Sequence, residues 1–209
     1  MVSPTSKTPA LEIRGLQAWY GESHVLHMPQ DALAIKAQLG VVSQFDTLDP
    51  DFSCAENLLV YGRYFGLKDA VIRERIDPLL EFGALSHKAK AKPGELSGGM
   101  KKRIGLARAV ITNPEVILYD EPTAGLDPIN TRRIADLILL LEDHLKCTSL
   151  VVTHDMQVVE SISNEVAFFY KGRVRQMGAF KELENSEDNI VSGFIKGDAS
   201  LLLTAFGSM

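Results

Sequence analysis

Asp120 and Glu121 stand side by side directly after the apolar run VILY (116–119). Such a run reads as a buried strand, and the two acids then fall at its carboxyl end, where a sheet presents its ligands. An adjacent pair there suits Mg²⁺ and an attacking water: one carboxylate holds the metal's hydration shell while the other orients or deprotonates the water. In most proteins two acids after a strand are a solvated turn, so the pair needs company. Ser97, Gly98 and Gly99, in LSGGM, supply some. Ser97 is a good helix N-cap, the glycines let backbone approach a ligand closely, and first-turn N–H groups attract phosphate. A capped helix with a flexible entry is the plainer alternative. His154 in VVTHD and Gln44 in VVSQFD each end a further apolar run. That places both on the same edge of a sheet as the acids, although a lone histidine there is usually structural and a lone glutamine usually a surface residue.

The elements that must position these residues show in the changing period of apolar residues. LEIRGLQAWY (11–20) alternates as a strand does, and LGVVS (39–43), VILY (116–119) and SLVVT (149–153) are short buried-strand runs. Helices are predicted over 55–66 and 70–83, the second with Pro78 starting a new turn or kinking it. Another covers 97–112 and stops at Asn113 and Pro114, and one over 128–145 opens with Pro128. Strand, helix, strand in this rhythm implies an α/β fold with a parallel sheet covered on both faces.

Composition narrows the class. With 209 residues the chain can bury roughly 70% of its unfolded surface as one α/β domain. Its 22 basic and 27 acidic residues give a net charge of −5, which argues against nucleic acid as a partner. The basic runs in HKAKAK (87–92) and KKR (101–103) read as solvated faces. Cys54 and Cys147, far apart and without metal-ligand company, read as free thiols of a reducing compartment. Residues 1–10 lack the apolar core of a secretory signal and no run approaches eighteen apolar residues, so a membrane connection is expected only through a partner.

The order of the motifs is the informative part. Gln44, LSGGM, a strand ending in Asp120-Glu121, AGLD (124–127) and a strand ending in His154 resemble, in sequence and approximate spacing, the Q-loop, signature, Walker B, D-loop and H-loop of ATP-binding cassette (ABC) proteins. The resemblance runs from about Leu11 to Gly197. It implies a P-loop NTPase-like parallel sheet flanked by helices, with a helical signature subdomain at about 45–112, core segments at 11–44 and 113–197, and a tail at 198–209. It also implies ATP and Mg²⁺ as cofactors, membrane subunits as partners, a second nucleotide-binding subunit in a head-to-tail dimer, and a cytoplasmic place at the inner membrane face. Residue by residue, the resemblance gives Tyr20 to adenine stacking, Gln44 to Mg²⁺ and signalling, and Ser97, Gly98 and Gly99 to the partner's γ-phosphate. Asp120 would hold the metal, Glu121 act as base, Asp127 bridge the dimer and His154 touch the γ-phosphate.

One part of the family pattern is missing. The Walker A loop, G-x-x-x-x-G-K-[ST], belongs between Tyr20 and Gln44, but the 23 residues there contain no Gly-Lys pair, and none occurs anywhere in the sequence. Backbone N–H groups and a lysine charge that hold β- and γ-phosphates are thereby lost, and the fold is expected to be truncated where the P-loop region would lie. Loss of a central strand and its helix would expose apolar surface and unpaired backbone on their neighbours. Segments resemble different branches: LQAWYGESHVLH amino-acid importers, GVVSQFDTLDPDFSCAENLLVYGRYFG nodulation-type or drug exporters, and LSGGMKKR through NSEDNIVSGFIKG Mce-type phospholipid transport ATPases. A junction near His27 to Asp31 would account for the gap. Three readings follow: a transport ATPase subunit, phospholipid first among its substrates, that depends on a partner for catalysis; a non-catalytic module donating a signature; or a deletion or fusion product. All three predict that the isolated chain binds MgATP weakly or not at all and that Glu121→Gln changes nothing measurable in it. Isothermal titration at millimolar ATP and a phosphate-release assay check this; a micromolar dissociation constant, or hydrolysis that Glu121→Gln abolishes, overturns it.

Overall fold

The computed structural model describes residues 18–20, 23–25, 38–198 and 200. The chain divides into two compact units, one ending at Val152 and one beginning at Thr153. In the first, β1 (Ala18–Tyr20) and β2 (Ser23–Val25) pair antiparallel, with Tyr20 opposite Ser23. β1 is the end of the strand expected over 11–20. Residues 11–17 and the proposed junction near His27 to Asp31 lie outside the described residues.

Three helices then build a core of their own. α1 (Cys54–Tyr64) opens on a reciprocal cap, in which the Ser53 hydroxyl accepts from the Glu56 N–H at 3.3 Å and the Glu56 carboxylate accepts from the Ser53 N–H at 2.8 Å. α2 (Asp69–Phe82) runs unbroken through Pro78, which is exposed. Its apolar stripe, Ile72, Ile76 and Leu80, is anchored on both sides of the proline, and the Glu74 carbonyl freed by the missing N–H belongs to an exposed residue that water can reach. α3 (Gly98–Val110) completes the group. Leu58, Ile72, Leu80, Ile104 and Ile111 close together with Leu48 and Leu85 into one cluster.

The sheet is formed by β3 (Leu39–Val42), β4 (Val116–Asp120) and β5 (Thr148–Val152), all parallel, in that order. β4 leads through α4 (Pro128–Leu145) to β5. In-register rows separate the two faces. Gly40 with Ile117, and Val42 with Tyr119 and Val151, share one face, and on it Val42, Ile117 and Tyr119 are at most 4% exposed. α3 lies against this face: a Cβ on Gly40 would meet the Ala109 carbonyl oxygen at 2.6 Å. The other face carries Val41, Leu118 and Leu150 in one row and Val152 beyond them. There Val41 is 43%, Leu150 49% and Val152 58% exposed. A parallel sheet is apolar on both faces because both are normally covered; this face is buried at Val116, 4% exposed, and more exposed toward the carboxyl ends of the strands.

In the second unit, α5 (Met156–Ile162) is capped by Asp155, whose carboxylate accepts from the Gln157 N–H at 3.0 Å. β6 (Val166–Tyr170) and β7 (Arg173–Gly178) form a hairpin whose two turn residues, Lys171 and Gly172, have φ of 49° and 74°. Positive φ at both positions is the twist-compatible two-residue turn. α6 (Phe180–Glu184) and α7 (Asn189–Lys196) close a small core of Leu183, Val191 and Ile195.

The tight seat of β3 on α3 gives a direct test. Gly40→Ala should cost about 1–3 kcal/mol, because the new methyl meets backbone that cannot swing aside. Gly105→Ala in α3, where nothing stands within 4 Å, should be neutral or stabilising by about 0.5–1 kcal/mol. Urea unfolding of both variants measures the contrast, and equal stabilities would refute the close approach.

Candidate functional site

β4 ends on Asp120, which is exposed, and Glu121 follows it in the left-handed region at φ 43°. That conformation costs a residue with a Cβ about 1 kcal/mol. It is held because the Glu121 N–H donates to the Val152 carbonyl at 2.9 Å, tying the turn to the end of β5. The chain then winds through two tight turns: Ala124 N–H donates to Glu121 O at 3.1 Å and Leu126 N–H to Thr123 O at 3.2 Å. Thr123 between them is 5% exposed.

These turns deliver Asp127 to the start of α4. Its carboxylate accepts from the Ile129 and Asn130 N–H groups, both at 3.0 Å, and from the Asn130 side-chain amide. The Asn130 backbone N–H, and after it the Asn130 side chain, hold the Asp127 carboxyl below the ordinary carboxylate range. Asn130 also touches the glycine turn: a Cβ on Gly99 would stand 2.8 Å from its Oδ1. Ser97 caps α3 by accepting from the Met100 N–H at 3.3 Å. The first-turn N–H groups of Gly98 and Gly99 have no intrahelical partner, with Gly98 exposed and Gly99 pressed against Asn130. Two helix N-termini, Ser97–Gly99 and Asp127, are thus brought together.

Gln44 reaches the same region through its backbone. Lys102 Nζ donates to the Gln44 carbonyl at 2.6 Å and to the Ser43 carbonyl at 3.4 Å. Lys101 pairs with Asp46 at 3.0 Å, and Arg108 donates to the Thr47 carbonyl at 2.6 Å and to the Thr47 hydroxyl, with its guanidinium 5.0 Å over the Tyr61 ring. Loop 43–48 is therefore pinned to α3 almost residue by residue. The expectation that KKR is a solvated face is corrected: Lys101 and Lys102 hold this loop, and Arg103 donates to the Gly83 carbonyl at 2.7 Å. Burial pushes the Lys102 ammonium down, and the carboxylates of Asp120, Asp46 and Glu121 push it back up, so Lys102 lies in the field of the acidic pair. A cavity of about 150 Å³ opens between the pinned loop, α3 and the turn before Asp127, lined by Phe45, Lys101, Lys102, Arg108 and Leu126 among others.

The first unit brings together Gln44, Ser97, Gly98, Gly99, Asp120, Glu121 and Asp127. His154 belongs to the second unit, and the Tyr20 side chain lies outside the described residues. Lys102 and Asn130 were missed in the sequence; a lysine five residues after a helix-capping serine and an asparagine three after a capping aspartate are signals only once both helices are placed. The nucleotide fits in part. The N–H groups at Ser97–Gly99 suit a phosphate, and among the described residues no group of three or more His, Cys, Asp or Glu side chains can hold a metal ion.

A family model described as ABC transporter matches residues 15–124. Nod factor export ATP-binding protein I of Paraburkholderia xenovorans (strain LB400) is 46% identical over 160 residues, which is 77% of this chain and 52% of that protein. The protein of the same name from Cupriavidus metallidurans is 44% identical over the same shares. The chain thus spans about half the length of the curated relatives it matches. Among solved structures, the dimeric post-hydrolysis state of the ATP-binding cassette MJ0796 bound to ADP and Pi superposes with a TM-score of 0.63 at 28% identity, covering 78% of this chain and 73% of that one.

The Asp127 cap is testable by itself. Asp127→Ala should lower Tm at neutral pH, and Asp127→Ser, which keeps a capping oxygen, should recover part of the loss. Because folding depresses this carboxyl below its ordinary 3.8, its contribution is present above that value and vanishes as pH falls through the folded one. The Tm gap between wild type and Asp127→Ala should therefore close as pH falls below 3.8 and through the lower folded value; a gap independent of pH would show that the carboxylate is not the cap.

Proposed function

The chain belongs to the ABC transporter family, and on that premise we propose that it is an ATP-binding subunit that works by donating its Ser97-Gly98-Gly99 turn to nucleotide held on a second, complete subunit. The observation that carries this reading is the junction of the two helix N-termini: Asn130, held by Asp127, buttresses Gly99 and fixes the direction of the first-turn N–H groups. Donors fixed in advance act on charge that redistributes in the transition state, so they favour turnover more than nucleotide binding. In this arrangement Asp127 lies at the dimer junction, and Gln44 faces the membrane subunits with its loop locked to α3. Glu121 belongs to the half-site that lacks its own phosphate loop, so the chain alone does not hydrolyse ATP.

The relatives named for Nod factor export favour export over import, and the likeness of 96–197 to phospholipid transport ATPases favours a lipid cargo. Among the described residues no helix is long and apolar enough to cross a membrane; attachment to the inner membrane face is through membrane subunits. The open apolar sheet face favours a second reading, in which the chain is a deletion or fusion product without activity.

One experiment separates the two. Mixed with a complete ABC subunit, the chain should yield one working site, and ATPase activity should fall at least about tenfold with Ser97→Arg while nucleotide affinity changes little. Equal activity with both chains, once heterodimer formation is confirmed, would favour the inactive product.

A further inference from the structure

The cavity between loop 43–48, α3 and the turn before Asp127 carries groups that donation of the signature does not use. Its volume is about 150 Å³, the size of cavity that holds one benzene ring. Its walls are of two kinds. Phe45, 77% exposed, and Leu126 offer apolar surface. Four charged side chains also line it, and Lys101, Lys102 and Arg108 are cationic against Asp46 alone, in a chain whose net charge is −5. The carboxylates of Asp120 and Glu121 act on Lys102 but do not line the cavity.

The spacing on α3 makes the room. Lys101, Gly105 and Arg108 stand at i, i+4 and i+7, on one face of the helix, and a Cβ on Gly105 would have nothing within 4 Å. Glycine weakens a helix interior, and close packing does not require one here; the missing side chain leaves a gap between the cations. Burial pushes the Lys102 ammonium and the Arg108 guanidinium down, so both have lost part of their water. The recorded partners do not use every donor. An ammonium has three N–H groups; Lys102 gives two to the carbonyls of Ser43 and Gln44, and Lys101 pairs with one carboxylate oxygen of Asp46. A bound anion would give these desolvated cations charge-assisted hydrogen bonds in place of the lost water.

We propose that this cavity is a binding site for a small organic anion, a monocarboxylate whose apolar body is the size of one aromatic ring. The carboxylate accepts from Lys101 and Lys102 in the field of Arg108, and the ring lies over Gly105 between Phe45 and Leu126. A helical segment of another protein is a poorer fit, because a helix with its side chains is about 10 Å across and the space here takes a single ring. The site requires neither nucleotide nor donation of Ser97, so it stands or falls independently of the function proposed above.

The test uses the full chain with benzoate as probe, followed by two-dimensional proton–nitrogen NMR. Benzoate should bind saturably with a dissociation constant of about 1 mM or below and shift the Gly105 amide. Benzamide, which keeps the shape without the charge, and acetate, which keeps the charge without the ring, should each bind at least about tenfold more weakly. Gly105→Leu fills the gap with a residue that favours helix, so it should keep its circular dichroism and weaken benzoate by about tenfold or more. Failure to saturate at about 20 mM benzoate, benzamide or acetate binding as tightly as benzoate, or a folded Gly105→Leu chain that binds like wild type would each overturn the proposal. The benzamide and acetate comparisons need no variant and decide the matter even if Gly105→Leu loses its fold.

Discussion

β4 has a hydrogen-bonded neighbour on each edge, and its Ile117 and Tyr119 are almost wholly removed from solvent. That double constraint fixes where the strand ends and hence where Asp120 stands. The left-handed turn at Glu121 exists because the next backbone N–H is captured by the end of β5. From the turn the chain can only run into the two tight bends that bring Asp127 to the start of α4. Asn130 then reaches Gly99, and the start of α3 is thereby tied to the turn that follows β4. A change in β4 would be felt at every candidate residue of the first unit.

Much of this was legible in the sequence where one local signal sufficed. The runs LGVV, VILY and SLVV are short, apolar and rich in β-branched residues, which reads as strand, and Ser97 and Asp127-Pro128 mark helix starts by capping chemistry. Pro78 was misleading because the penalty it carries falls on the wet side of α2, where water replaces the lost partner, while Ile72, Ile76 and Leu80 hold the helix on its dry side. The KKR run was misleading for the opposite reason. Its charges find carbonyls and a carboxylate from loop 43–48, about sixty residues earlier in the chain, and no local pattern reports such a partner. The hairpin of β6 and β7 left a trace in Lys171-Gly172 directly after the apolar run VAFFY, a turn readable only by its second glycine-favouring position.

The two layers of the first unit differ in how well their apolar residues are used. The helices α1, α2 and α3 bury their stripes in a cluster that needs nothing else, and close approaches such as Gly62 against Ile72 show packing without slack. The sheet packs one face against α3, and on the other Val116 is buried while Val41, Leu150 and Val152 are exposed.

The uncharged, open strand β5 has a thermodynamic consequence of its own. Anything that covers it, whether a neighbouring strand or another copy of the same edge, binds the folded chain and not the unfolded one, and so raises stability by mass action. Edge-to-edge pairing is also the first step of aggregation, and this edge carries none of the residues that normally prevent it. Wherever such pairing occurs, the melting temperature rises with the concentration of whatever covers the edge.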